Sequence, residues 1–209
     1  MRLACLETVH ERLRSLFSGG SAGNARLTAA TGAVLLVLLA AEGLTLLGGV
    51  GRYLLPHIFI GLLLIPPIAL KLGSTGWRMM SYYRRVDEYV RSGPPQALLR
   101  ILVAPVLVAA TIVMFATGIA AALVGHGGLL LGLHKVSFVV WGIAFGIHVL
   151  AHVLKLPPLV ALDWQGRDRL GGRRIRRLLL ALALVSGVVV AFAAIPLAHN
   201  WHGGFAFDR

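Results

Sequence analysis

Four histidines stand where a histidine is costly. His57, His134, His148 and His152 each interrupt a long apolar run, in a chain with eight histidines in all. Ionisable side chains at such depth usually face a bundle interior or a functional site. An imidazole there can ligate a metal, move a proton or bond a neighbouring carbonyl. Spacing narrows the choice. His134 and His148 are 14 residues apart, four turns at the ~3.5-residue repeat of packed helices. They therefore share one helical face, about 21 Å apart along the axis. That separation suits axial ligands for two haems stacked across a membrane. Trp141 lies midway on the same face, where packing between the two positions is the preferred reading.

His57 supplies the second helix of the argument. Two imidazoles, one on each side of a haem iron, make a six-coordinate, electron-transferring centre, and His57 and His134 are expected at similar depth. Gly61, one turn after His57, would admit a flat ring, and Gly142 and Gly146 open the surface of the His134 helix. The same GxxxG spacing also serves helix packing. Fourteen residues after His57 comes Lys71, level with His148. Lysine ligates iron only when neutral, and its other reading is an ammonium reaching the inner headgroups. His152, one turn beyond His148, is an alternative ligand, a partner for a propionate, or an interfacial residue. Glu42 is the only acid deep in an apolar run; it reads as a proton-transfer group, as a partner orienting an outer histidine, or as a protonated carboxyl bonded to backbone. Lys135 is placed to neutralise a propionate or to extend outward. His199 and His202 flank Trp201, and two ligands alone do not define a metal site.

The elements that must position these residues are membrane helices. Apolar residues make up 57% and charged residues 13% of the 209, against about a quarter charged in soluble domains. Runs at about 28–50, 54–73, 98–124, 129–155 and 178–198 each reach the ~20 residues that cross a bilayer core. The expected fold is an all-α integral membrane bundle of five spans. Net charge is +12, which in a soluble protein would suit nucleic acid. Its distribution has a better explanation: 17 of the 20 Lys and Arg fall in 1–27, 71–100 and 155–177, and only Arg52, Lys135 and Arg209 lie elsewhere. This positive-inside pattern puts the N-terminus in the cytoplasm and the C-terminus outside the cytoplasmic (inner) membrane. It also implies contact with anionic lipid and no nucleic-acid partner.

Three regions follow: a cytoplasmic segment 1–27, a transmembrane domain 28–198 and an external tail 199–209. Leu3, Leu6, Leu13, Leu16 and Phe17 would line one face of a short helix on the inner membrane surface. Leu3-Ala4-Cys5 superficially resembles a lipoprotein cleavage site, but no apolar stretch precedes it, and the first apolar run reads as an uncleaved anchor. Cys5 is the only cysteine, which rules out an intrachain disulfide or a thiolate-held iron–sulfur cluster. Pro66-Pro67 should bend the second span. The first two spans weakly echo the next two: Ala41-Glu42-Gly43-Leu44 precedes His57 as Ala116-Thr117-Gly118-Ile119 precedes His134. Such repeats often hold a shared site between them, although similar apolar composition alone can produce the echo.

The histidine pattern resembles the small b-type membrane cytochromes, including ferric-reductase-like and di-haem electron-transfer proteins. The resemblance covers about residues 28–155 and leaves the fifth span outside a four-helix core. It implies haem b, one group or two, with His57, His134 and His148 as axial ligands; Lys71 departs from the pattern at the inner position. The chain lacks a Walker loop, a zinc-protease motif, a dinucleotide fingerprint and a serine elbow. Soluble electron carriers would therefore reach it through a redox partner protein or an exposed haem edge, and the chain would be the electron-transfer subunit of a membrane oxidoreductase, with oligomer formation compatible. The alternatives are a cofactor-free subunit or small transporter, using the histidines and Glu42 as a proton or substrate path, and a structural anchor for a larger complex.

Overall fold

The computed structural model describes residues 19–93, 99–153, 156–165, 171–199 and Trp201. Five helices are long and apolar enough to cross a membrane, and no strand occurs among the described residues. This is an all-α, multi-pass membrane protein. In chain order, α1 is Gly20–Leu47, α2 Leu54–Tyr83, α3 Asp87–Arg91, α4 Ala104–Val124, α5 Leu129–His152, α6 Leu156–Gln165, α7 Arg173–Ala193 and α8 Ile195–His199. A π-helical turn, Leu99–Val103, leads into α4. The expected surface helix over residues 3–17 lies outside the described residues, as do the Cys5 motif, His202 and most of the tail.

Helix ends differ from the apolar runs in an instructive way. The first helix starts at Gly20, ahead of the expected 28, and the second continues to Tyr83, past 73. Both extensions are polar, and they satisfy each other. Asn24 Nδ2 donates to the Ser74 carbonyl at 2.9 Å, and the Thr28 and Ser74 hydroxyls meet at 2.9 Å. Glu88 of α3 accepts from the Ser21 N–H at 2.7 Å, covering a donor that the first turn of α1 leaves without a helical partner. At 30 residues, α2 is about 45 Å long and exceeds the ~30 Å hydrocarbon core. Its surplus carries Trp77, Arg78, Tyr82 and Tyr83. The helix runs on through Pro66 and Pro67, and Pro67 is fully buried. Within the basic stretch 155–177, α6 occupies the first part, with Pro157 and Pro158 in its opening turn, where a missing N–H costs least.

Two compact units divide the chain. One takes the described residues of 1–37, 64–94 and 155–187; the other takes those of 38–63, 95–154 and 188–209. The polar seam between α1 and α2 belongs to the first. In the second, α4 and α5 pack as an antiparallel pair, mostly through small residues: Ala110, Thr111, Thr117, Ala121 and Ala122 are buried on α4, and Ser137 and Ala144 on α5, together with the large Trp141. Small side chains let membrane helices approach closely, where van der Waals contact replaces the hydrophobic effect. Val136, Val139, Ile143 and Leu150 stand exposed on α5, as a lipid-facing surface requires. Hydroxyls are satisfied locally: Thr111 donates to the Leu107 carbonyl at 2.7 Å and Thr117 to that of Val113 at 2.6 Å. Lipid offers no water to do so.

Candidate functional site

In the second unit, α1 and α2 meet around a carboxylate and an imidazole. Glu42 and Thr45 are one turn apart on α1 and share a face; His57 and Gly61 do the same on α2. His57 Nδ1 lies 2.7 Å from Glu42 Oε1 and 3.2 Å from Thr45 Oγ1. Thr45 gives its own proton to the Glu42 backbone carbonyl at 2.6 Å, so its oxygen faces His57 as an acceptor. When Glu42 is ionised its carboxylate also accepts, which puts the proton on Nδ1 and leaves a lone pair at Nε2. Glu42 Oε2 is buried and has no partner among the described residues. A Cβ added at Gly61 would meet only Glu42 Oε1, at 3.8 Å.

The α4–α5 pair treats its histidine differently. His134 Nδ1 donates to the Met114 backbone carbonyl at 2.8 Å. A carbonyl can only accept, so here too Nε2 carries the lone pair. Gly118, one turn after Met114, makes room for the ring: a Cβ there would lie 2.9 Å from both Cε1 and Nδ1 of His134. Gly125 then ends α4 in the left-handed conformation, φ 76°, with its N–H on the Ala121 carbonyl at 3.0 Å. That cap turns the chain back to bring α5 alongside.

The two imidazoles come together, with ring centres 6.3 Å apart and planes at 83°. Two imidazoles bound to one metal ion through bonds of ~2 Å have ring centres roughly 6 Å apart. Both Nδ1 protons are engaged by oxygen acceptors, the arrangement that orients metal-bound histidines and fixes their tautomer. Among the described residues, no group of three or more His, Cys, Asp or Glu is arranged to hold a bare metal ion. A haem iron, already bound by the porphyrin, needs only two protein ligands. The donor set, its spacing and its tautomers fit that group.

The other predicted ligands are placed separately. His148 and His152 stack with ring centres 4.6 Å apart, and His152 Nδ1 donates to the His148 carbonyl at 2.9 Å. Lys71 belongs to the first unit, where its ammonium donates to the Thr28 carbonyl at 2.6 Å. Trp141 is buried, gives its indole N–H to Thr111 Oγ1 at 3.1 Å and stacks on Phe145, ring centres 4.5 Å apart. Packing is what its contacts describe. Gly142 and Gly146 have open space where a Cβ would stand. Exposed His199 ends α8. Sequence reasoning missed the Met114 carbonyl, Thr45 and the fit of Gly118. The echo between Glu42-Gly43 and Thr117-Gly118 was the available signal, since each stretch abuts its own histidine. No family model, curated protein or solved structure matches the chain.

Proposed function

We propose that the protein is a membrane b-type cytochrome, carrying electrons through haem held between His57 and His134. One observation carries the reading: two half-buried imidazoles with ring centres 6.3 Å apart, each with Nδ1 bonded to an oxygen. His57 and His134 would supply the axial nitrogens, Glu42 and the Met114 carbonyl would orient the rings, and Gly118 would keep the His134 ring in place. Haem supplies one-electron chemistry; burial and ligand identity set its potential. The basic-residue distribution supports a cytoplasmic membrane location with the N-terminus inside. With no nucleotide fingerprint in the chain, a redox partner protein completes the circuit, which makes this the electron-transfer subunit of a larger oxidoreductase. A second haem with His148 as a ligand belongs to the same proposal, and haem-to-chain stoichiometry tests it.

The deciding experiment is the absorption spectrum of the purified, haem-supplied protein. A low-spin spectrum with sharp reduced α and β bands is expected. Absence of haem absorption favours a second reading, a cofactor-free proton path. The specific observation behind that alternative is the Glu42–His57 contact with Oε2 left unpartnered, a pair able to pass a proton.

A further inference from the structure

We propose that Glu42 sets the potential of the outer site, by making His57 the stronger of two unequal axial ligands. This inference rests on the cytochrome reading and deepens it. Both histidines donate through Nδ1–H, but to different acceptors: His57 to a carboxylate at 2.7 Å, His134 to a peptide carbonyl at 2.8 Å. Hydrogen bonds to an ionised acceptor are roughly twice as strong as neutral ones. A ring that yields more of its Nδ1 proton becomes more basic at Nε2, the nitrogen that faces a metal. His57 is therefore the better electron donor of the two.

Charge acts in the same direction. Glu42 is the only acidic side chain among the described residues of its unit. An ionised Glu42 in such an apolar surround would act over several ångströms with little screening and would favour the ferric over the ferrous charge state. Geometry directs the effect. Oε2 has no competing donor among the described residues, so the carboxylate's hydrogen bonding is spent on His57. Thr45 holds the pair in register by bonding the Glu42 carbonyl while facing His57 Nδ1. Glu42 touches neither iron nor porphyrin in this scheme; it is a positioning residue that acts through His57.

Redox titration at one fixed pH, on wild-type protein and E42Q in nanodiscs, tests the assignment. The wild-type spectrum is recorded first, so that absence of haem, which removes both the cytochrome reading and this inference, is distinguished from failure of the inference alone. With haem present, E42Q keeps an acceptor of the same shape but loses the charge. Its haem content and low-spin spectrum should match wild type. Its ferrous-to-ferric ratio at a given ambient potential should rise about tenfold, an upward midpoint shift of about 59 mV for a one-electron couple. A purely structural Glu42 predicts no shift, and an unchanged midpoint overturns the proposal. Loss of haem from folded E42Q overturns it too, because an amide oxygen still holds the ring and tuning does not require charge for binding. Should E42Q not fold, E42D decides: its shorter reach weakens the bond, and the midpoint should rise less than in a neutral variant. A wild-type midpoint in E42D overturns the assignment.

Discussion

His57 and His134 stand near the starts of α2 and α5, yet one passes its Nδ1 proton to a side-chain carboxylate and the other to a backbone carbonyl. The α1–α2 hairpin uses a group that a single substitution can change in charge without changing shape. The α4–α5 hairpin uses a peptide oxygen, which no substitution removes, and positions it by close approach at Gly118. The first arrangement is adjustable in electronics; the second is fixed by steric fit. Two nearly equivalent nitrogens thus carry different liabilities, and substitutions on the two hairpins should fail in different ways.

The largest expected effect erases the comparison altogether. On the proposed cytochrome reading, His57→Ala or His134→Ala would remove one axial nitrogen, and each should abolish the low-spin spectrum, as measured by optical absorption and haem content. The wild-type ring planes sharpen this test. As axial ligands, rings at 83° would engage two iron d-orbitals almost equally, so a strongly anisotropic low-spin EPR signal is expected if haem is bound. A weakly anisotropic signal would mean parallel rings and a different pairing.

Next comes the glycine that serves only one hairpin. Gly118→Leu drives a side chain into the His134 ring, where even a Cβ would lie 2.9 Å away; Gly43→Leu meets open space. Overpacking of this kind costs about 1–3 kcal/mol. Gly118→Leu should lower haem content and thermal stability together, while Gly43→Leu should leave both near wild type. Equal behaviour of the two variants would show that steric fit is not what holds His134.

Much of this arrangement was readable from residue types. Long apolar runs with few charges specify membrane helices because lipid leaves a backbone no other partner, and all five spans appear. His57 and His134 stood out because an imidazole in lipid needs a reason to be there, and Glu42 for the same reason. What stayed hidden was supplied by backbone and tertiary contact. The Met114 carbonyl has no side-chain signature. The start of α1 at Gly20 and the reach of α2 to Tyr83 depend on Asn24, Thr28 and Ser74 finding one another across two helices, and a hydropathy count sees such residues as loop. Lys71 was set level with His148 by counting turns, but counting cannot reveal the Thr28 carbonyl that its ammonium bonds.

A smaller effect is expected from the contact that ties α4 to α5 below the histidine. Thr111→Val keeps the volume at that position but removes the oxygen that accepts from the buried Trp141 indole N–H. An orphaned buried donor costs about 1–3 kcal/mol. Membrane measurements of comparable interhelical bonds average nearer ~0.6 kcal/mol, so a modest loss of thermal stability is expected with the haem spectrum intact. A changed spectrum would place Trp141 at the cofactor rather than in packing alone.

The smallest effect separates the two acceptors themselves. Thr117 donates to the Val113 carbonyl at 2.6 Å and also approaches the Met114 carbonyl at 3.2 Å, the oxygen that takes the His134 proton at 2.8 Å. The Met114 carbonyl is therefore a shared acceptor, whereas the acceptor facing His57 is a side-chain carboxyl oxygen, Glu42 Oε1. Thr117→Val removes the competing hydroxyl with little change of volume, leaving the Met114 oxygen to His134. The helix should hold, since back-bonding of a Thr hydroxyl to its own helix adds little to stability. His134 should become a marginally stronger donor, and the midpoint should move down, opposite to E42Q and by less. An upward shift, or one as large as that of E42Q, would mean that the peptide acceptor governs the site as much as the carboxylate does, and the proposed inequality of the two ligands would fall.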